Sequence, residues 1–309
     1  MNRAILQQNN IDLIKIRDLV KNTALVTVDG VKITGALRLI SSLTDEEVSV
    51  LPYGFFYSSA VELNDEIHIL GGSTTSLDLK KHYKWNGSAW KSVSTLPYEF
   101  RFGCAVVYRG EIHILGCESN STKHCKFNGT AWEIVSELPI LFTRGSAVVL
   151  NDEIHILGSS SYSYTTAHYK WNGSTWSMVS TLPYAFNNGC AVVYENEIHI
   201  LGGISGNNAL THHYKFNGAW VKVSTTPMGV YTSSAVVDKD GIHLMGGTHK
   251  TTAHYLWNGS WTELRNLPYE FHSSAAVIRK NHIHLLGSLT NPYYNSHYAI
   301  NVKKYTEEL

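Results

Sequence analysis

The chain has 309 residues, its 25 Lys plus Arg balance 25 Asp plus Glu, and only 16% of its residues are charged. No basic stripe is present, so nucleic-acid binding has no electrostatic footprint, and no apolar run is long enough to cross a bilayer as a helix. Met1 to Val20 scatters polar residues, Gln7-Gln8-Asn9-Asn10 and Asp12 among them. It lacks the apolar core and small-residue cleavage site of a secretory signal, so synthesis and folding in a cytoplasm are expected.

Residues 1–46 do not repeat. Asn10 can cap a short helix over Ile11 to Val20, although the apolar pattern suits a strand almost as well. Ala24 to Thr34 reads as a hairpin about Asp29-Gly30. The piece is rich in aliphatics but too small to be a sturdy domain alone. Its expected role is docking: onto the rest of the chain, onto copies of itself, or onto a larger assembly.

Residues 47–309 repeat one pattern six times. An Ile-His-[Ile/Leu]-[Leu/Met]-Gly run places histidines at His68, His113, His155, His199, His243 and His284, at intervals of 45, 42, 44, 44 and 41 residues. Such a period means stacked copies of one unit. The first unit opens on Leu51-Pro52-Tyr53 and continues with a small apolar run, Ser58 to Val61, and a polar turn, Asn64-Asp65. It then has the Ile67-His68 run, a loop of variable length, His82 to Gly87, and a closing run from Trp90 to Leu96-Pro97. Four short β-rich runs separated by Asn-Asp and Asn-Gly turns are the composition of antiparallel hairpins. Four strands at this period point to propeller blades.

With those residues in view, the units resemble Kelch repeats, through the paired glycines Gly71-Gly72, Gly202-Gly203 and Gly246-Gly247 followed by an aromatic turn stretch and a Trp. The resemblance implies an all-β, six-bladed Kelch-type β-propeller preceded by a small N-terminal docking segment. Three departures stand out. His replaces the Tyr often found in Kelch strands, the double glycine decays to Gly116-Cys117, Gly158-Ser159 and Gly287-Ser288, and the sixth unit carries Tyr305 where the others carry Trp. Two segments compete to be the outermost strand of the sixth blade: Lys304 to Glu308, favoured by the offset of Tyr305 from His297, and Glu47 to Pro52, which aligns with Ser92 to Pro97.

Residues that recur in every unit are expected to do structural work in every unit. The second histidine set, His82, His124, His168, His213, His254 and His297, is placed to meet the first across strands, sharing a hydrogen bond or a weak metal site; structural packing is the favoured reading, and no metal or cofactor is expected. Trp90, Trp132, Trp176, Trp220 and Trp261 read as blade-to-blade packing. Cys104 and Cys190 stand where other units have Ser59, Ser146 and Ser234, and with Cys117 and Cys125 they are expected to be free thiols.

What differs among units is more informative. Loops after the second and fourth strands vary and emerge on one face of a propeller, which is where a ligand is distinguished. The fourth-strand loops place Phe56-Tyr57, Arg101-Phe102, Thr143-Arg144, Asn187-Asn188, Tyr231-Thr232 and His272-Ser273 around the expected channel mouth. Aromatics with small polar residues suit sugar faces or a protein partner. A catalytic reading would use Arg101 and Arg144 with Glu99 or Glu270, but both carboxylates follow Tyr in a repeated context, so no catalytic residue is expected.

The Trp-Asn-Gly-[Ser/Thr]-x-Trp and Leu-Pro-Tyr-x-Phe phrases are similar to those of Kelch-like proteins in phage structural gene sets of Gram-positive bacteria. That resemblance implies a non-enzymatic virion or phage-tail-like component. It would join other virion proteins through residues 1–46, with homo-oligomers within the assembly, and bind a host surface glycan or a neighbouring structural protein. The alternatives are a cytoplasmic Kelch-type interaction module and a sugar-modifying propeller enzyme.

Overall fold

The computed structural model describes residues 27–28, 31–32, 45–72, 79–159 and 166–301. The chain divides into two compact units, Met1–Glu46 and Glu47–Leu309. In the first, Thr27–Val28 pairs antiparallel with Val31–Lys32, Val28 opposite Val31, as expected for a turn at Asp29-Gly30. The helix-or-strand segment over residues 11–20 lies outside the described residues.

The second unit is a ring of six four-stranded antiparallel sheets. The first blade runs from its inner strand Ser59–Leu63 through Glu66–Leu70 and Lys81–Trp85 to its outer strand Trp90–Thr95. Inner strands Cys104–Tyr108, Ser146–Leu150, Cys190–Tyr194, Ser234–Val237 and Ala275–Arg279 start the next five. Neighbouring inner strands touch all the way round, the sixth against the first.

The Ile-His-Ile-Leu strands explain why the ring holds. Each is sandwiched between blades, so Ile67, Ile69, Leu70 and their counterparts are fully buried, each such side chain contributing about 1.5–3 kcal/mol. Next to them lies a second layer of fully buried rings, Phe55, Phe100, Phe142, Phe186 and Phe271. The glycine ending each run is obligatory. Gly116 has φ 57°, and a Cβ there would lie 2.0 Å from the Phe142 carbonyl oxygen. The second glycine of each pair is under no such constraint in every blade, which is why Cys117, Ser159 and Ser288 can stand there.

Ring closure departs from the favoured expectation. The outer strand of the sixth blade is Glu46–Val50, completing the sheet of Ala275–Arg279, His282–Leu286 and Ser296–Asn301. Lys304 to Glu308, the favoured candidate, lies outside the described residues, and the place it was to fill is taken. The physical reason is Ser49. It occupies the register of Ser94, accepts the Trp90 indole N–H at 2.9 Å and bonds His297 Nδ1 at 2.7 Å. The residue standing where other outer strands have Trp is therefore Asp45. Leu51 N–H bonds the Asn295 carbonyl at 2.7 Å, so this strand runs toward the variable-loop face. Glu46, and Asn301 at the end of the third strand, lie at the opposite face, with the short turns.

Candidate functional site: the channel mouth

The histidines meet as pairs within each blade. Nδ1 of the first faces Nε2 of the second at 2.7–2.9 Å in all six blades: His68–His82, His113–His124, His155–His168, His199–His213, His243–His254 and His284–His297. In five blades the second ring bonds a serine hydroxyl on the outer strand: Ser94, Ser136, Ser180, Ser224 and Ser49. The Trp of the following blade donates its N–H to that same serine at 2.9–3.0 Å. The relay His–His–Ser–Trp thus stitches five of the six blades to the next. In the fifth blade Arg265 stands at the serine register.

Burial lowers the pKa of eleven of these twelve imidazoles. It pushes His68, His113, His155, His199 and His284 down to about 4. Burial, then the facing imidazole, brings His82, His124, His168, His213 and His297 to about 3. Nitrogens this close share a proton rather than flank an ion, whose bonds to each nitrogen would be about 2.0–2.1 Å. Among the described residues no group of three or more His, Cys, Asp or Glu is placed to hold a metal.

The cysteines are free. The Cys104 and Cys190 thiols donate to the carbonyls of Gly145 and Ser233 at 3.2 Å, as the hydroxyls of Ser59, Ser146 and Ser234 do to Gly103, Gly189 and Ser274 at 2.8–3.1 Å. Burial raises the Cys190 thiol to about 12, which removes it as a nucleophile.

The second residue of each variable pair contributes its backbone to a closed hexad on the variable-loop face. Tyr57, Phe102, Arg144, Asn188, Thr232 and Ser273 all have φ between 53° and 60°. Each donates its N–H to the carbonyl of the equivalent residue one blade back, at 2.7–3.3 Å, and Tyr57 closes the circle on Ser273. Left-handed backbone at non-glycine residues costs of order 1–3 kcal/mol each and persists only where the surroundings impose it. Here each blade imposes it on the next. The result is a rigid rim that carries six unlike side chains.

Those side chains divide the rim. On one side Phe102 is enclosed: the Arg144 guanidinium lies 3.9 Å from its centroid and the Tyr57 ring 4.5 Å. Arg101 bonds Glu118 at 2.7 Å and Arg144 approaches the same carboxylate at 3.6 Å. Glu118, on the second-strand loop, was not singled out from sequence, and it is the carboxylate both arginines share, in place of Glu99 or Glu270. On the other side Asn188 bonds Asn187 at 2.8 Å, Thr232 meets Thr248 at 2.6 Å, and His272 Nε2 faces Thr290 Oγ1 at 2.9 Å. Thr143, next to Arg144, and Tyr231, next to Thr232, are half-buried. Phe56 and Ser273, expected at the mouth, are only 3% and 8% exposed and back the rim from within.

The fold and this mouth define a six-bladed β-propeller with one individualised face. Among solved structures it resembles the one titled "Structure of YjhT", with a TM-score of 0.70 over 84% of this chain and 98% of that one, at 16% identity. No protein-family model and no curated protein matches the chain.

Proposed function

We propose that this is a non-enzymatic binding protein of a virion or phage-tail-like particle, whose propeller mouth recognises a hydroxyl-rich ligand such as a host surface glycan. The observation that carries this reading is the backbone hexad. A repeated scaffold fixes six positions rigidly and then varies only what they display, which is how a fold prepares a recognition site. Glu118 bridges Arg101 and Arg144, so neither guanidinium stands apart from a carboxylate, although one positive charge of the three groups is left over. Asn187, Asn188, Thr232 and His272 supply donors and acceptors matched to hydroxyls. Tyr231 contributes a partly exposed ring for a sugar face.

The position of Glu46 supports the assembly half of the proposal. Glu46 begins the outer strand of the sixth blade at the short-turn face, the end of that strand away from the variable loops. A glycan array and host-cell binding assay on the full chain test the reading. Binding that drops at least about tenfold in Tyr231→Ala with an unchanged melting temperature supports it. Absence of glycan and cell binding, together with failure to co-sediment with particles, overturns it.

A further inference from the structure

The channel opens a second time on the short-turn face, and there one residue breaks the sixfold pattern. The inner-strand residue paired with the first Ile of each Ile-His run is Val107, Val149, Val193, Val237 or Ile278 in five blades. In the first blade it is Glu62, paired with Ile67. These six residues line a cavity of about 390 Å³ whose other walls are also valines. A single carboxylate therefore sits in an aliphatic sleeve.

Glu62 is exposed, and one of its oxygens accepts the Asp65 N–H at 2.6 Å. That bond aims the carboxylate and leaves its second oxygen without a partner among the described residues. The neighbouring turn charges are already paired: Asp65 with Arg279 and Lys280, Arg109 with Asp152, and Lys239 with Asp240. Water alone satisfies the carboxylate but not the aliphatic wall. A cation at the end of a straight methylene stem satisfies both.

The geometry points to this opening as a socket for a primary alkylammonium, presented as the lysine side chain of a partner protein. The stem lies along the valines and the ammonium bonds Glu62. This site is separate from the mouth, and its test does not depend on what the mouth binds.

The test is isothermal titration of the full chain with Nα-acetyl-lysine methylamide, alongside butylammonium and the Nε-acetylated derivative. Saturable binding of the lysine derivative and of butylammonium is expected. Binding should weaken at least about tenfold for the Nε-acetylated compound and for Glu62→Gln, because each removes one charge of the pair. Glu62→Val, which restores the residue type of the other blades, should fold and lose binding equally. The proposal is overturned if the lysine derivative shows no saturation at tens of millimolar, if Glu62→Gln binds as wild type does, or if butylammonium binds while the lysine derivative is excluded.

Discussion

Trp90 of the first blade donates its indole N–H to the hydroxyl of Ser49, which lies on the strand completing the sixth blade, at 2.9 Å. One bond thus joins the beginning of the propeller to its end. Removal of residues 1–44 should leave cooperative unfolding intact. Removal of residues 1–50 should destabilise the ring severely, since Trp90 Nε1 and His297 Nδ1 lose their shared partner, at about 1–3 kcal/mol for each group left buried and unbonded. Ser49→Ala isolates that part. Urea melts of the three variants check the prediction, and equal stability of both truncations would contradict it.

Trp176 tests the relay between blades. Its indole bonds Ser136 at 3.0 Å and its ring lies 5.5 Å from Trp171. Because Trp176 is half-buried, Trp176→Ala should cost about 2–4 kcal/mol, less than a fully buried Trp loses. Trp176→Phe keeps most of the packing and should cost about 1 kcal/mol, the worth of the bond. A change near zero in both would mean the relay carries no stability.

Acid should unfold the protein well above the range in which carboxylates titrate. Eleven relay histidines are held below their ordinary value of 6.5, chiefly by burial. Below pH 6.5 the unfolded chain binds protons that the folded chain refuses, so stability is full above that pH and falls as pH drops toward 4. Each such histidine removes about 1.4 kcal/mol per pH unit in that window. Eleven together exceed the roughly 5–15 kcal/mol that holds a domain folded. Melting temperature should therefore collapse between pH 6.5 and 5, and a flat profile down to pH 4.5 would refute the neutral relay.

The fourth blade's first turn is strained. Glu195 and Asn196 both have positive φ, 50° and 61°, the geometry of a turn that favours Asn-Gly. Glu195→Asn with Asn196→Gly should stabilise by about 0.5–1 kcal/mol, partly through the unfolded chain. Thermal melts of the double variant read this directly.

Blade number was legible because His68 and its five counterparts recur at a fixed period, and the identity of the variable face followed from loop lengths. Closure was not, because Glu47 to Pro52 and Lys304 to Glu308 satisfy the same repeat pattern, and only the serine at position 49 meeting both His297 and Trp90 separates them. The histidine pairing was foreseen from two matched sets; the serine and tryptophan that extend it were not, since they join residues about 40 positions apart. At the mouth, sequence placed Phe56 beside Tyr57 but carried nothing about which way its ring turns. The backbone hexad left no trace either, because left-handed conformations at Tyr57 or Thr232 have no residue signature. Glu62 was not singled out from sequence, because the comparison with four valines and an isoleucine becomes meaningful only once the strand register assigns that column to the channel.

The clasping strand also decides how the molecule bears load. It runs from Glu46 at the turn face to Val50 near the mouth. A pull between the variable-loop face and Glu46 therefore lies along that strand. Its rungs to Ser296–Asn301 are then strained in shear, all at once, and not peeled one after another as a zip would be.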